Sequence, residues 1–133
     1  MTVFVHNDVL DNGPQYIKTH ADRIIACDGA PATYAAATTP PGSGGNALAD
    51  AAVSSGDFTL AAGATDGRKL SWPDKTGVPI DDGGGGDHAA IVDDTNSKLL
   101  LVFPATVEVS LTSGGPTLTI KGKSYTVRAP SVV

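Results

Sequence analysis

Between Asp57 and Phe103, short apolar or alternating runs recur at close intervals, each ended by residues that turn a chain. No other feature of the sequence constrains the fold as much. The runs are Phe58 to Leu60, Arg68 to Trp72, Val78 to Ile80, Ala89 to Val92 and Leu99 to Phe103, and the clusters between them are rich in Gly, Asp, Thr, Asn and Ser. Period-two alternation broken by such clusters is the pattern of antiparallel strands. The pattern continues beyond Pro104: Val107, Val109 and Leu111 alternate with Glu108, Ser110 and Thr112, and Leu118 and Ile120 alternate with Thr117, Thr119 and Lys121. Tyr125 and Val127 alternate with Thr126 and Arg128, and Gly122-Lys123 before them predicts a terminal hairpin.

The N-terminal part is less regular. Thr2 to His6 alternates and predicts a short strand or an arm, Gln15 to Asp22 predicts at most two helical turns, and Arg23 to Cys27 predicts a buried strand ended by Asp28-Gly29. Two prolines and three glycines in Thr38 to Gly45 make that stretch an exposed loop. Asn46 to Val53 fits an Ala-rich strand and a short helix equally well. A single Glu among fourteen acidic residues argues against a helical protein, because Asp and Gly serve turns where Glu serves helices.

About ten short strands predict two packed antiparallel sheets, since a lone sheet leaves one apolar face uncovered. The expected fold class is therefore all-β, an antiparallel β-sandwich of jelly-roll or Ig-like type, with at most one or two short helices near the N-terminus. A chain of 133 residues suits one domain over 1–133, with an N-terminal arm (1–14) and a C-terminal tail (129–133). No apolar run reaches the ~18 residues of a membrane-spanning helix, and the opening MTVFVHND lacks the regions of a secretory signal, so synthesis in the cytoplasm is expected. Nine Lys and Arg scattered among fourteen acids, for a net charge of −5, do not make a face for nucleic acid.

The chemical motifs dissolve one by one. Gly122-Lys123-Ser124 resembles the end of a phosphate loop, but Thr117 stands where that loop needs its first glycine. Asp81, Asp82, Asp87 and His88 surround four glycines, and Asp93 to Ser97 is rich in oxygen atoms, yet neither follows the calcium-loop spacing, and turn chemistry accounts for both. His6, His20 and His88 lie in no zinc spacing, and Cys27 in the apolar run IIAC reads as a small buried side chain. Ser110, Ser113 and Ser131 lie in no nucleophile elbow. No catalytic residue, cofactor or metal is expected, and the chain is not read as an enzyme.

Three runs carry a resemblance: YIKTHADRIIACDGAPATYAAATT, GDFTLAAGATDGRKLSWPDKTG and DHAAIVDDTNSKLLLV. Within them Ala21-Asp22 leads to Cys27, then Pro31, Thr33 and Tyr34; Gly67-Arg68-Lys69 follows; and Asp87-His88 precedes an apolar strand with Asp93 and Leu99 to Leu101 after it. Over Gln15 to Phe103 the chain resembles small virion-associated structural proteins of tailed bacteriophages and prophages. That resemblance implies a particle component, located in the virion, with the major capsid protein or other virion proteins as partners and many copies on a symmetric lattice.

The function expected on this basis is a capsid decoration or cement protein bound to the head exterior. A tail, fibre or adaptor component is the alternative, with the loops at Asp81 to Gly86 or Thr38 to Gly45 meeting a partner. A carbohydrate-binding β-sandwich using Trp72, Tyr34, Tyr16 and Tyr125 is more distant. Partner-binding is assigned to Val3, Phe4 and Val5 in the arm and Ser131, Val132 and Val133 in the tail, both able to add to a neighbour's sheet edge.

Overall fold

A computed structural model describes residues 4–5, 13–62, 68–104, 110–111 and 117–127 of the chain. Its largest unit is a five-stranded antiparallel sheet built from β1 (Phe4–Val5), β2 (Arg23–Cys27), β3 (Ala47–Ala52), β8 (His88–Asp93) and β9 (Lys98–Pro104), in the order β1-β9-β8-β2-β3. A three-stranded sheet of order β12-β5-β4 joins β4 (Thr59–Ala62), β5 (Arg68–Ser71) and β12 (Ser124–Val127). Two two-stranded ribbons pair β6 (Lys75–Val78) with β11 (Leu118–Ile120), and β7 (Gly84–Gly85) with β10 (Ser110–Leu111). Helices α1 (Pro14–His20) and α2 (Tyr34–Thr38) are short. The chain is all-β with antiparallel pairing, as its alternation predicts.

β8 and β9 are buried along almost their whole length because both faces of the large sheet are covered. One face carries Ile24, Ala26, Ala89, Ile91, Leu101 and Phe103, packed with Ile17 of α1 and with Phe58, Leu70, Trp72, Val78 and Ile120 from the other strands. The Trp72 ring lies between Phe58, at 5.8 Å between centroids, and Phe103, at 5.4 Å. The opposite face carries Ile25, Cys27, Ala90, Val92, Leu99 and Val102, and α2 covers it with Ala37 and Tyr34. Each fully buried aliphatic side chain here contributes about 1.5–3 kcal/mol of transfer free energy. The register of β8 and β9 shifts between Ile91 and Val92, so Leu100 is an extra residue and turns into the first core.

The helices owe their ends to local chemistry. α1 starts at Pro14, whose missing N–H costs nothing in a first turn, and ends with Lys18 and His20 near its negative pole. Lys18 Nζ donates to the carbonyls of Ser55 and Phe58, each at 2.8 Å, and so ties α1 to the turn before β4. α2 is capped by Thr33, whose side chain accepts from the Ala36 amide at 3.1 Å.

Four local expectations change. The Ala-rich run settles as strand β3, because pairing with β2 outweighs the helical preference of alanine. The strand expected at Val78 to Ile80 lies earlier, at Lys75–Val78. α2 was not foreseen. The predicted terminal hairpin does not form: β11 pairs with β6, whereas β12 pairs with β5. Gly122 is the crossing point, its amide donating to Asp74 Oδ1 at 2.7 Å while Trp72 N donates to the Lys123 carbonyl at 3.1 Å.

Candidate functional site

Of the six residues assigned to partner contact, Val3, Ser131, Val132 and Val133 lie outside the described residues. Phe4 and Val5 form β1 on the outer edge of the large sheet, opposite Val102 and Leu101 of the same chain. These two residues therefore occupy an edge of the chain's own sheet.

On the α2 side, strand parity assembles a polar group that the sequence did not announce. Arg23 shares a sheet face with Ile25 and Cys27, so a guanidinium stands on a largely apolar surface and needs partners. It finds Asp94 in the turn after β8 through a two-pronged contact, Nε to Oδ2 at 2.7 Å and Nη2 to Oδ1 at 2.8 Å, and reaches Asp50 of β3 through Nη1 at 3.3 Å. The Tyr34 hydroxyl of α2 donates to Asp94 Oδ1 at 2.8 Å. Asp22 Oδ2 accepts from the amides of Asp94, at 2.9 Å, and Thr95, at 3.2 Å, which fixes the turn itself. Arg23 and then Tyr34 hold the Asp94 carboxyl below its ordinary range, while the same hydrogen bond to Asp94 raises the Tyr34 phenol. Bonds to Asp94 and Asp50 raise the Arg23 pKa still further, so the guanidinium is always charged.

Beside this group lies a cavity of about 160 Å³. Ile25, Ala47 and Leu48 form its apolar part, Thr38 and Pro40 line it from the α2 side, and Arg23, Asp50, Asp81 and Asp82 supply charge. Such a mixture suits contact with polar side chains or a peptide edge. Arg23 is legible from parity as a charge on an apolar strand face, whereas Asp50 lies in a run that fits strand and helix alike, and bringing Asp81 to the same cavity needs the fold.

The remaining candidates are engaged inside the fold. Cys27 faces His88 across the β2–β8 ladder, but it is fully buried, its Sγ lies 3.6 Å from the Ile25 carbonyl, and burial, helped by the charge of Asp87, pushes its thiol up to about 12. A thiol held neutral in this way is a poor nucleophile. His88 Nδ1 sits 3.0 Å from Asp87 Oδ1, and that oxygen also accepts from the Gly29 amide at 2.7 Å. Asp93 accepts from the Asn96 amide at 3.2 Å and from Asn96 Nδ2 at 2.7 Å, which is turn chemistry. A second, more open hollow of about 450 Å³ runs past Asp57, Thr59, Ser71 and Trp72. Among the described residues, no group of three or more His, Cys, Asp or Glu has the geometry to hold a metal ion, and no helix is long and apolar enough to cross a membrane. No family model, curated protein or solved structure matches the chain.

Proposed function

We propose that the chain is a structural protein of a tailed-phage virion, a decoration or cement protein held in many copies on the outside of the head against the major capsid protein. The observation that supports it best is β1, a two-residue N-terminal strand laid on the outer edge of the large sheet by backbone pairing with β9. Pairing through backbone groups depends little on side-chain identity, and the same segment can add to a neighbour's edge on a lattice. Many weak contacts repeated by symmetry then give avidity with little interface per copy. The five-stranded and three-stranded sheets share one core and are read as the two layers of the expected sandwich.

The polar chemistry supports the same reading. The carboxylates of Asp22, Asp57, Asp74 and Asp93 accept backbone amides that fix turns, caps or strand ends, and that of Asp94 is held by Arg23 and Tyr34. The aromatic side chains favour it over sugar recognition: Trp72 lies in the core, and Tyr16 stacks on His20 at 4.0 Å with Lys98 Nζ 5.5 Å from its ring centroid, so both rings are engaged within the chain. Quantitative mass spectrometry of particles separated into heads and tails tests the proposal. A copy number on heads comparable to that of the major capsid protein is expected. A few copies confined to tails would replace decoration by the tail, fibre or adaptor role, and absence from both fractions would overturn a virion role.

A further inference from the structure

β4 is an outer strand of the three-stranded sheet, and three of its four residues, Thr59, Ala61 and Ala62, are exposed. The ladder shows which of its backbone groups are spent. Trp72 N donates to the Lys123 carbonyl one rung beyond the Ser71–Ser124 pair, so alternation turns the backbone groups of Leu70 and Arg68 toward β12 and those of Ser71 and Lys69 toward β4. Thr59 and Ala61 bond to these last two. Leu60 and Ala62 therefore direct their amides and carbonyls away from the sheet, and no described residue meets them. The carbonyl of Phe58, two residues earlier and turned the same way, is taken by Lys18 Nζ at 2.8 Å, so the open edge begins at Leu60.

The outer strands β3 and β12 carry features that hinder a further strand from joining. On β3 the register shifts beside Leu48, whose carbonyl already accepts the Asp81 and Asp82 amides, and Asp50 puts a charge on the edge. On β12 a cation, Lys123, precedes the first paired residue. β4 has no charge, proline or bulge, and it pairs with β5 without a shift. We propose that the β4 edge joins two copies of this chain antiparallel about Ala61, making one six-stranded sheet from two of three strands.

The register follows from what each copy leaves open. With Ala61 opposite Ala61 of the second copy, Leu60 of each meets Ala62 of the other, and the two amides and two carbonyls open on each copy close four backbone bonds. Leu60 and Ala62 share a sheet face, and Leu60 packs on the core, so a two-fold axis normal to the sheet keeps both cores on one side. A slip by one residue would set Leu60 among exposed positions. Charge also suits a second copy. The two Lys69 side chains, each beside an Ala61, stand three strand spacings apart, about 14 Å, beyond the screening length of about 8 Å at physiological salt. The same operation on β3 would bring two Asp50 carboxylates to one junction. So short an edge buries little area, which places the dissociation constant on the order of 0.1 mM.

Sedimentation velocity and amide exchange by NMR on the full chain, from about 10 μM to about 1 mM, test the contact. In the wild type a dimer should grow in over that range, and protection of the Leu60 and Ala62 amides should rise several-fold, well above any change at Thr59 and Ala61. Position 61 is exposed and meets itself across the axis. Ala61→Lys and Ala61→Glu should therefore each fold and associate at least tenfold more weakly, while their equimolar mixture regains the dimer. Ala62→Pro, which removes an outward amide and no bond to β5, should show the same loss if either of these fails to fold. A wild type that stays monomeric at the highest concentration would leave the edge to a strand of another protein. Variants that associate as the wild type does would move the contact elsewhere, and a mixture no better than its components would break the two-fold. Each of the three would overturn the proposal.

Discussion

At Gly122 a Cβ would run into the carbonyl oxygen of Trp72 and come within 2.6 Å of the Pro73 carbonyl carbon. Both obstacles are backbone atoms, so no side-chain rotation relieves them. Gly122→Ala should therefore cost about 2 kcal/mol, read as a lower urea midpoint at unchanged slope, because the crossing from β11 to β12 must shift. Asp94 gives a prediction of a different kind. Its carboxyl is depressed by Arg23 first and by Tyr34 second, so its contribution is present above its unfolded value of 3.8 and is lost as the pH falls through the lower folded value. The urea midpoint of the wild type should thus drop on acidification through that range, and Asp94→Asn should drop less while being less stable than the wild type at neutral pH. Part of the slope should survive in the variant, because Asp57 and Asp87 are depressed too, the first by the Ser54 amide and Lys75, the second by His88 and the Gly29 amide.

Among the elements, β1 is the one whose removal separates folding from association. It pairs with β9 at two positions only, and all the other described strands of the large sheet pair without it. Deleting residues 1–7 should leave the circular dichroism spectrum unchanged and lower the melting temperature by a few degrees at most. It should also expose the β9 edge, seen as concentration-dependent association in size-exclusion chromatography, and, on the proposed virion role, weaken attachment to particles. A deleted chain that binds particles as the full chain does would remove the arm from the attachment surface. The elements legible in the sequence were those whose signal is local, such as β8 and β9, where apolar runs flank a five-residue turn cluster. β3 was ambiguous because alanine serves strand and helix alike, and only its ladder with β2 decides. The pairing of β11 and β12 was misread because Gly122-Lys123 looks like a hairpin turn, while the partners β6 and β5 lie far back in the chain. α2 carries too few residues for a helical period to show. In the candidate site, parity exposes Arg23 as a charge needing partners, whereas Asp94, Asp50 and Asp81 come from three separate segments.

For the molecule as a whole, β9 is the element on which both cores depend. Leu99 and Val102 belong to the cluster under α2, and Leu100, Leu101 and Phe103 to the cluster shared with α1 and the three-stranded sheet. Its neighbours are β8, which precedes it across a short turn, and β1, from the far N-terminal part of the sequence, so the strand joins a local pairing to a long-range one. Leu101 is 2% exposed and lies between Ile91 of β8 and Val5 of β1. A carboxylate there has no counter-charge among the residues of its cluster, which are all apolar or aromatic. Leu101→Asp should therefore cost on the order of 4 kcal/mol or more, a large part of the roughly 5–15 kcal/mol available to a domain. The expected result is loss of the cooperative thermal transition at neutral pH, partly restored in mild acid, where the new carboxyl is protonated and its burial costs less. A variant that kept the wild-type melting temperature would mean that Leu101 does not lie in the core and that the strand order assigned around β9 is wrong.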